Sequence, residues 1–222
     1  MKALIERIYK NFCNNRDYTR EQFERDYGRP EPFAFLDQMI PEFKAILDIF
    51  AIGELKSALE IGQWEGAGLY YMLKHSPPDA KIYGLDEVQS RLKDWTKWDV
   101  DTSKLTLIEG DSTQPSVVQK VTNIVGELDY LFIDGCHYFD AVMQDYYNYG
   151  KLVKQGGIIM IHDINSCACN MVHVSRAWQL IKNKHSFTRE FILNPLPDFM
   201  PKEESDKYSM GHYGIGLILK EE

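Results

Sequence analysis

The chain has 222 residues, 44% of them hydrophobic and 26% charged. That is enough for one domain with a full core and too apolar for a disordered segment. The formal net charge of −8, with no Lys/Arg-rich run, argues against nucleic acid as a partner, and no apolar run approaches the ~20 residues that span a bilayer.

Residues 1–50 carry no strand signal and read as an N-terminal helical extension of the domain formed by residues 51–222, serving as a lid or an oligomer contact. Its opening, MKALIERIYKNF, is amphipathic and lacks the apolar core of a secretory signal. Pro30 and Pro32 separate that segment from a second one, in which Phe35, Met39, Phe43, Ile46, Leu47 and Phe50 fall at helical spacing. Five β-rich runs follow: SALEIG (57–62), KIYGLD (81–86), LTLIEGD (105–111), LDYLFID (128–134) and GGIIMIHD (156–163). Each is apolar almost throughout, as a strand buried on both faces of a parallel sheet is. Helices are expected between them, at 66–75, 89–98, 114–126 and 139–153, then at 171–183. Two further strand candidates, FTREFIL (187–193) and YGIGLIL (213–219), flank a Pro- and charge-rich loop at 194–212. A loop of that length suits a lid or binding loop. Repeated β-then-α units give a doubly wound α/β fold of Rossmann-like type, with a mostly parallel, seven-stranded sheet.

The acidic residues are placed by rule. Glu60, Asp86, Asp111, Asp134 and Asp163 each fall at the end of one of the five strands. Ligands of open α/β sheets bind outside those carboxyl ends. A single such residue would merely cap the next helix; five in order describe a site. The first turn, Glu60-Ile61-Gly62-Gln63-Trp64-Glu65-Gly66, is not the G-x-G-x-x-G dinucleotide fingerprint. Asp86 follows at about the interval of the acidic residue that binds ribose hydroxyls, ~20 residues or slightly more.

The spacing E-x-G-x-x-x-G resembles the first motif of class I S-adenosylmethionine-dependent methyltransferases. The resemblance places Glu60, Gly62, Gln63, Gly66, Asp86 and Asp134 at the cofactor, with Asp111 and Ser112 at its adenine ring. The stretch LDYLFIDGCHYFDAVMQDYYNYGKLVKQGGIIMIHDI (128–164) resembles the D-G-x-H … D … L-x-x-G-G-x-x-x-x-H-D block of a group that includes macrocin- and mycinamicin-type sugar O-methyltransferases and cephalosporin-hydroxylase-like proteins. The resemblance runs from about Gln38 to Asp163. It implies that Asp134, His162 and Asp163 bind Mg²⁺ or another divalent cation. Metal-dependent relatives tend to have two carboxylates at the adjacent pair, and the imidazole here tilts the site toward Mn²⁺, Fe²⁺ or Zn²⁺. A packing role is the plainer reading of His162. The resemblance makes His137 the general base, with Asp134 beside it in catalysis, and the acceptor a small hydroxylated molecule such as a sugar or glycoside. A helix-start histidine bonding the backbone is the alternative for His137.

Two rival functions stand beside this one: a catalytically silent methyltransferase-fold binding protein, and an NAD-dependent oxidoreductase, against which the missing dinucleotide fingerprint argues. The four cysteines, Cys13, Cys136, Cys167 and Cys169, read as reduced thiols of a cytoplasmic protein. Cys136, Cys167 and Cys169 with His173 have poor spacing for structural zinc. The expected partner is a small molecule, with no nucleic acid and no membrane; a homo-oligomer stays open.

Overall fold

In the computed structural model, which describes residues 1–29, 38–92, 94–165, 172–193 and 213–221, all seven apolar runs are strands. They are β1 (Ser57–Ile61), β2 (Lys81–Asp86), β3 (Leu105–Glu109), β4 (Leu128–Ile133), β5 (Val153–Ile161), β6 (Thr188–Phe191) and β7 (Ile215–Leu219). They form one sheet in the order β3-β2-β1-β4-β5-β7-β6. Neighbours among the first five pair in parallel, and β7 runs antiparallel to both β5 and β6. The chain reverses its direction of travel across the sheet between β1 and β4, the switch point at which such sheets open a crevice.

The helices are α1 (Lys2–Asn14), α2 (Arg20–Tyr27), α3 (Ile40–Ile52), α4 (Ala67–His75), α5 (Pro115–Val125), α6 (Phe139–Tyr149) and α7 (Val172–Lys182). Alternate strand residues feed two cores. Tyr130 and Phe132 pack with Ile5 and Phe12 of α1, Phe43 and Phe50 of α3, and Leu69 of α4. Leu131 and Ile133 pack with Val121 of α5, Val142 of α6 and Trp178 of α7. Both faces of the sheet are therefore covered, which is why the strands read as unbroken apolar runs. The N-terminal helices share a core with the sheet, and Met39, Phe43, Ile46, Leu47 and Phe50 are buried as their spacing predicts.

Two expected helices differ. Residues 89–98 form two single 3₁₀ turns, Gln89–Arg91 and Trp95–Lys97, instead of one helix. Asp94 accepts from the Thr96 hydroxyl at 2.5 Å, a local bond that competes with helix formation, and the turns deliver Trp98 edge-on to Tyr70, 5.7 Å between ring centroids. The helix expected over 139–153 stops at Tyr149; one 3₁₀ turn, Gly150–Leu152, leads into β5, which starts three residues before the expected 156. The 194–212 loop, Phe35, Cys167 and Cys169 lie outside the described residues. Among the described residues no helix is long and apolar enough to cross a membrane.

Candidate active site

The ends of β1 and β4 meet through glycine. Gly62 has φ +85° and donates its N–H to the Leu85 carbonyl at 2.8 Å. A Cβ placed on it would lie 2.2 Å from the Asp134 carbonyl oxygen and 2.5 Å from the Gly135 Cα. Only glycine allows that approach without strain. Gly66, also left-handed, starts α4 with Leu92 and Trp98 against its bare face. The Asp86 carboxylate closes the adjoining turn: one oxygen accepts from the Trp64 N–H at 3.1 Å, the other from the Val88 N–H at 2.9 Å. Arg91 lies over the Trp64 ring, 4.8 Å from its centroid.

A cleft of about 490 Å³ opens at this switch point, walled by Gly62, Asp86, Asp111, Asp134, His137 and Gln38 among others. That size suits a small-molecule site. Glu60 reaches it from beneath α4 and is only 2% exposed; its Oε2 has no hydrogen-bond partner. Burial, with Asp134 and Asp86 nearby, pushes its pKa well above the ordinary carboxylate range.

At the inner wall four titratable groups converge. Asp134, just past β4, accepts from His162 Nδ1 at 3.0 Å through Oδ1 and from Gln38 Nε2 at 2.6 Å through Oδ2. His162 and Asp163, just past β5, are buried, with His162 Nδ1 3.4 Å from Asp163 Oδ1. His137 Nε2 lies 3.4 Å from Asp163 Oδ2 and 3.8 Å from Asp134 Oδ1. Burial alone would lower the His162 pKa, but the two carboxylates outweigh it and raise it to about 10. Burial would likewise raise Asp134, yet His162 and His137 hold it well below the usual range. The Asp134 carboxylate, the strongest influence on His137, raises the pKa of that imidazole too. The two carboxylates thus favour the protonated form of His162, whose proton a bound cation would displace. One donor atom each from Asp134, His162 and Asp163 lies within 4.8 Å of the others, and Asp163 Oδ1 and His162 Nε2 have no hydrogen-bond partner.

Of the residues expected at the site, Glu60, Gly62, Gln63, Asp86, Asp111, Ser112, Asp134 and His137 all line the cleft. Gly66 supports it from the helix start. His162 and Asp163 stand behind Asp134 and His137, off the cleft surface. Two orientations are particular. The Gln63 side chain is turned onto Gln89, 2.6 Å between amide groups, rather than left free. Asp111 accepts from the Thr113 N–H at 2.8 Å, closing the turn ahead of α5 rather than capping the helix, which has no side-chain cap. Three buried residues were not anticipated as functional. Gln38 contacts Asp134; Glu42 accepts from the Leu193 N–H at 2.7 Å and the Gly214 N–H at 2.8 Å; Asp145 of α6 has neither oxygen hydrogen-bonded and is pushed up to about 7 by burial. Polar residues within apolar helical runs carry no spacing signal that separates them from solvent-facing positions.

Residues 59–164 match a family model described as a methyltransferase domain. Over 159 residues the chain is 25% identical to mycinamicin VI 2″-O-methyltransferase of Micromonospora griseorubida, covering 68% of this chain and 37% of that protein. The chain spans half or less of the length of the curated relatives it matches. The fold is that of the O-methyltransferase TomG from Streptomyces achromogenes, solved in complex with SAM: TM-score 0.64, 13% identity, covering 90% of this chain and 87% of that one. The MycE methyltransferase of mycinamycin biosynthesis, solved with Mg and SAH, superposes with a TM-score of 0.53 at 19% identity, covering 90% of this chain and 54% of that one.

Proposed function

We propose that this chain, which carries a class I methyltransferase domain, transfers a methyl group from S-adenosylmethionine to a hydroxyl of a small molecule. One observation carries the reading: the glycine turn after β1, the Asp86 turn after β2 and His137 after β4 all wall the same cleft. The charge of that cleft supports a sulfonium cofactor over a dinucleotide. Asp86, Glu87, Asp111 and Asp134 line it against the one guanidinium of Arg91. Carboxylates favour a ligand bearing a sulfonium and an ammonium and disfavour a pyrophosphate. The buried, unpartnered Glu60 oxygen is the kind of acceptor an N–H-bearing ligand satisfies.

The sulfonium of a bound cofactor supplies an activated methyl group, so the protein's task is to align the acceptor and take its proton. His137 is the base: its imidazole is partly exposed at the cleft and is held from behind by Asp163 and Asp134. Asp134, His162 and Asp163 fit a divalent cation by donor type and by mutual distance, and would hold it beside His137. Such a cation lowers the pKa of a nearby hydroxyl. Mixed imidazole and carboxylate donors favour Mn²⁺, Fe²⁺ or Zn²⁺ over Mg²⁺, though the magnesium in the MycE complex keeps that ion in the series. A sugar or glycoside acceptor is supported by the likeness to the mycinamicin enzyme.

Formation of S-adenosylhomocysteine with a panel of hydroxylated acceptors tests the reading. His137→Ala is expected to lower turnover by ~10²–10⁴ while S-adenosylhomocysteine affinity stays within about twofold, since the proposed ribose and adenine contacts belong to earlier strands. Near-normal turnover in that variant would remove His137 from the chemistry.

A further inference from the structure

We infer that Gln38 is a positioning residue for Asp134, through which the N-terminal helical segment enters the catalytic centre. The inference rests on the proposed cation site and adds to it a residue that precedes the first strand. Gln38 is 96 positions from Asp134 in sequence, is 8% exposed, and lines the cleft. Its Nε2 donates to Asp134 Oδ2 at 2.6 Å. The other oxygen, Oδ1, faces His162 and His137.

A carboxylate turns readily about its last torsion, and its two oxygens are interchangeable. A donor fixed on one of them stops the exchange and presents the other to the cluster. The donor must itself be held, and it is. One helical turn later Glu42, fully buried, bonds the backbone on either side of residues 194–212 through the Leu193 and Gly214 N–H groups. Ile40 and Phe43 anchor the same stretch in the core. The chemistry of the amide also matters. A lysine or arginine at this position would neutralise Asp134 and repel a cation; a carboxamide orients the carboxylate and leaves its charge available.

The test uses Mn²⁺ as the probe, titrated calorimetrically into the full chain and into Gln38→Met, which keeps the length and loses the donor. We expect the wild type to bind Mn²⁺ and the variant to bind it ~10–100-fold more weakly, the usual cost of losing a partner of a metal ligand. The melting temperature should fall only by the few degrees that one lost buried hydrogen bond costs, and S-adenosylhomocysteine affinity should fall far less than Mn²⁺ affinity. Gln38→Ala gives the same readout if the methionine variant does not fold. Equal Mn²⁺ affinity in wild type and variant overturns the inference and leaves the cation site standing. No Mn²⁺ binding by the wild type overturns both. Loss of S-adenosylhomocysteine together with Mn²⁺ would reveal collapse of the cleft, and would contradict a role confined to Asp134.

Discussion

Substituting alanine for Gly62 should damage both the fold and the cleft, by an amount that the structure lets one separate into two parts. The first is backbone strain: φ is +85°, and a side chain there costs roughly 1–2 kcal/mol. The second is contact. The new Cβ would sit 2.2 Å from the Asp134 carbonyl oxygen and 2.5 Å from the Gly135 Cα. Both are backbone atoms that cannot swing aside as a side-chain tip can. The β1 and β4 turns must part, at a cost of roughly 1–3 kcal/mol. The sum, about 2–5 kcal/mol, corresponds to a fall in Tm of roughly 4–20 °C at ~2–4 °C per kcal/mol for a chain of this size. Gly126→Ala is the control. It has φ +68° and ψ −128° but nothing within 4 Å of the added Cβ, so it should carry strain alone, roughly 1–3 kcal/mol or about 2–12 °C. Differential scanning calorimetry of the two variants, with S-adenosylhomocysteine binding measured on each, gives the comparison. Gly126→Ala should bind like wild type and Gly62→Ala far more weakly, because Asp134 moves with its backbone. If both variants melt together and bind alike, the claim that β1 and β4 meet through Gly62 is wrong.

Two further outcomes follow from the buried charges. Burial raises Glu42 to about 8, against the lowering effect of its two N–H donors. The folded protein therefore holds this proton more tightly than the unfolded chain; the associated stability is complete below about 4.5 and is lost as pH rises through about 8. Wild-type stability should decline across that window, on the order of 1.4 kcal/mol per unit of pKa shift, and Glu42→Gln should flatten the decline while costing roughly 1–3 kcal/mol for the N–H left without an acceptor. A pH profile identical in wild type and variant would refute the assignment. For His137 the sign runs the same way: Asp134 favours its protonated form, so an NMR titration of the metal-free protein should place its ionisation above the ordinary ~6.5, and a value below that would refute the charge arrangement drawn for the cluster.

The parts that sequence made legible are those with a period or a position. Apolar runs without alternation marked β1 to β5, because both sheet faces are covered. Acidic residues at successive strand ends marked the cleft, because parallel strands bring those ends to one edge. What stayed hidden depended on tertiary contact. The stretch 89–98 has the apolar spacing of a helix, yet it breaks into turns so that Trp98 can pack on Tyr70 and against Gly66. Gln38 just ahead of α3 and Glu42 within it stand among apolar residues, and their partners, Asp134, Leu193 and Gly214, are distant in sequence. The electrostatics of His162 were equally invisible: a histidine next to Asp163 reads as a ligand or as packing, whereas the two carboxylates around the buried imidazole raise its pKa.

The central claim is that the cleft between β1 and β4 is a site for S-adenosylmethionine. Isothermal titration of the purified chain with S-adenosylhomocysteine, and separately with NAD⁺, tests it most directly. Saturable one-to-one binding of S-adenosylhomocysteine at micromolar affinity, about −8 kcal/mol, is expected, and none of NAD⁺, whose pyrophosphate the carboxylates of the cleft oppose. Asp86→Ala should weaken the binding by roughly 1.5–3 kcal/mol through lost ribose hydrogen bonds. Saturable binding of NAD⁺ with no heat from S-adenosylhomocysteine would contradict the account at its base.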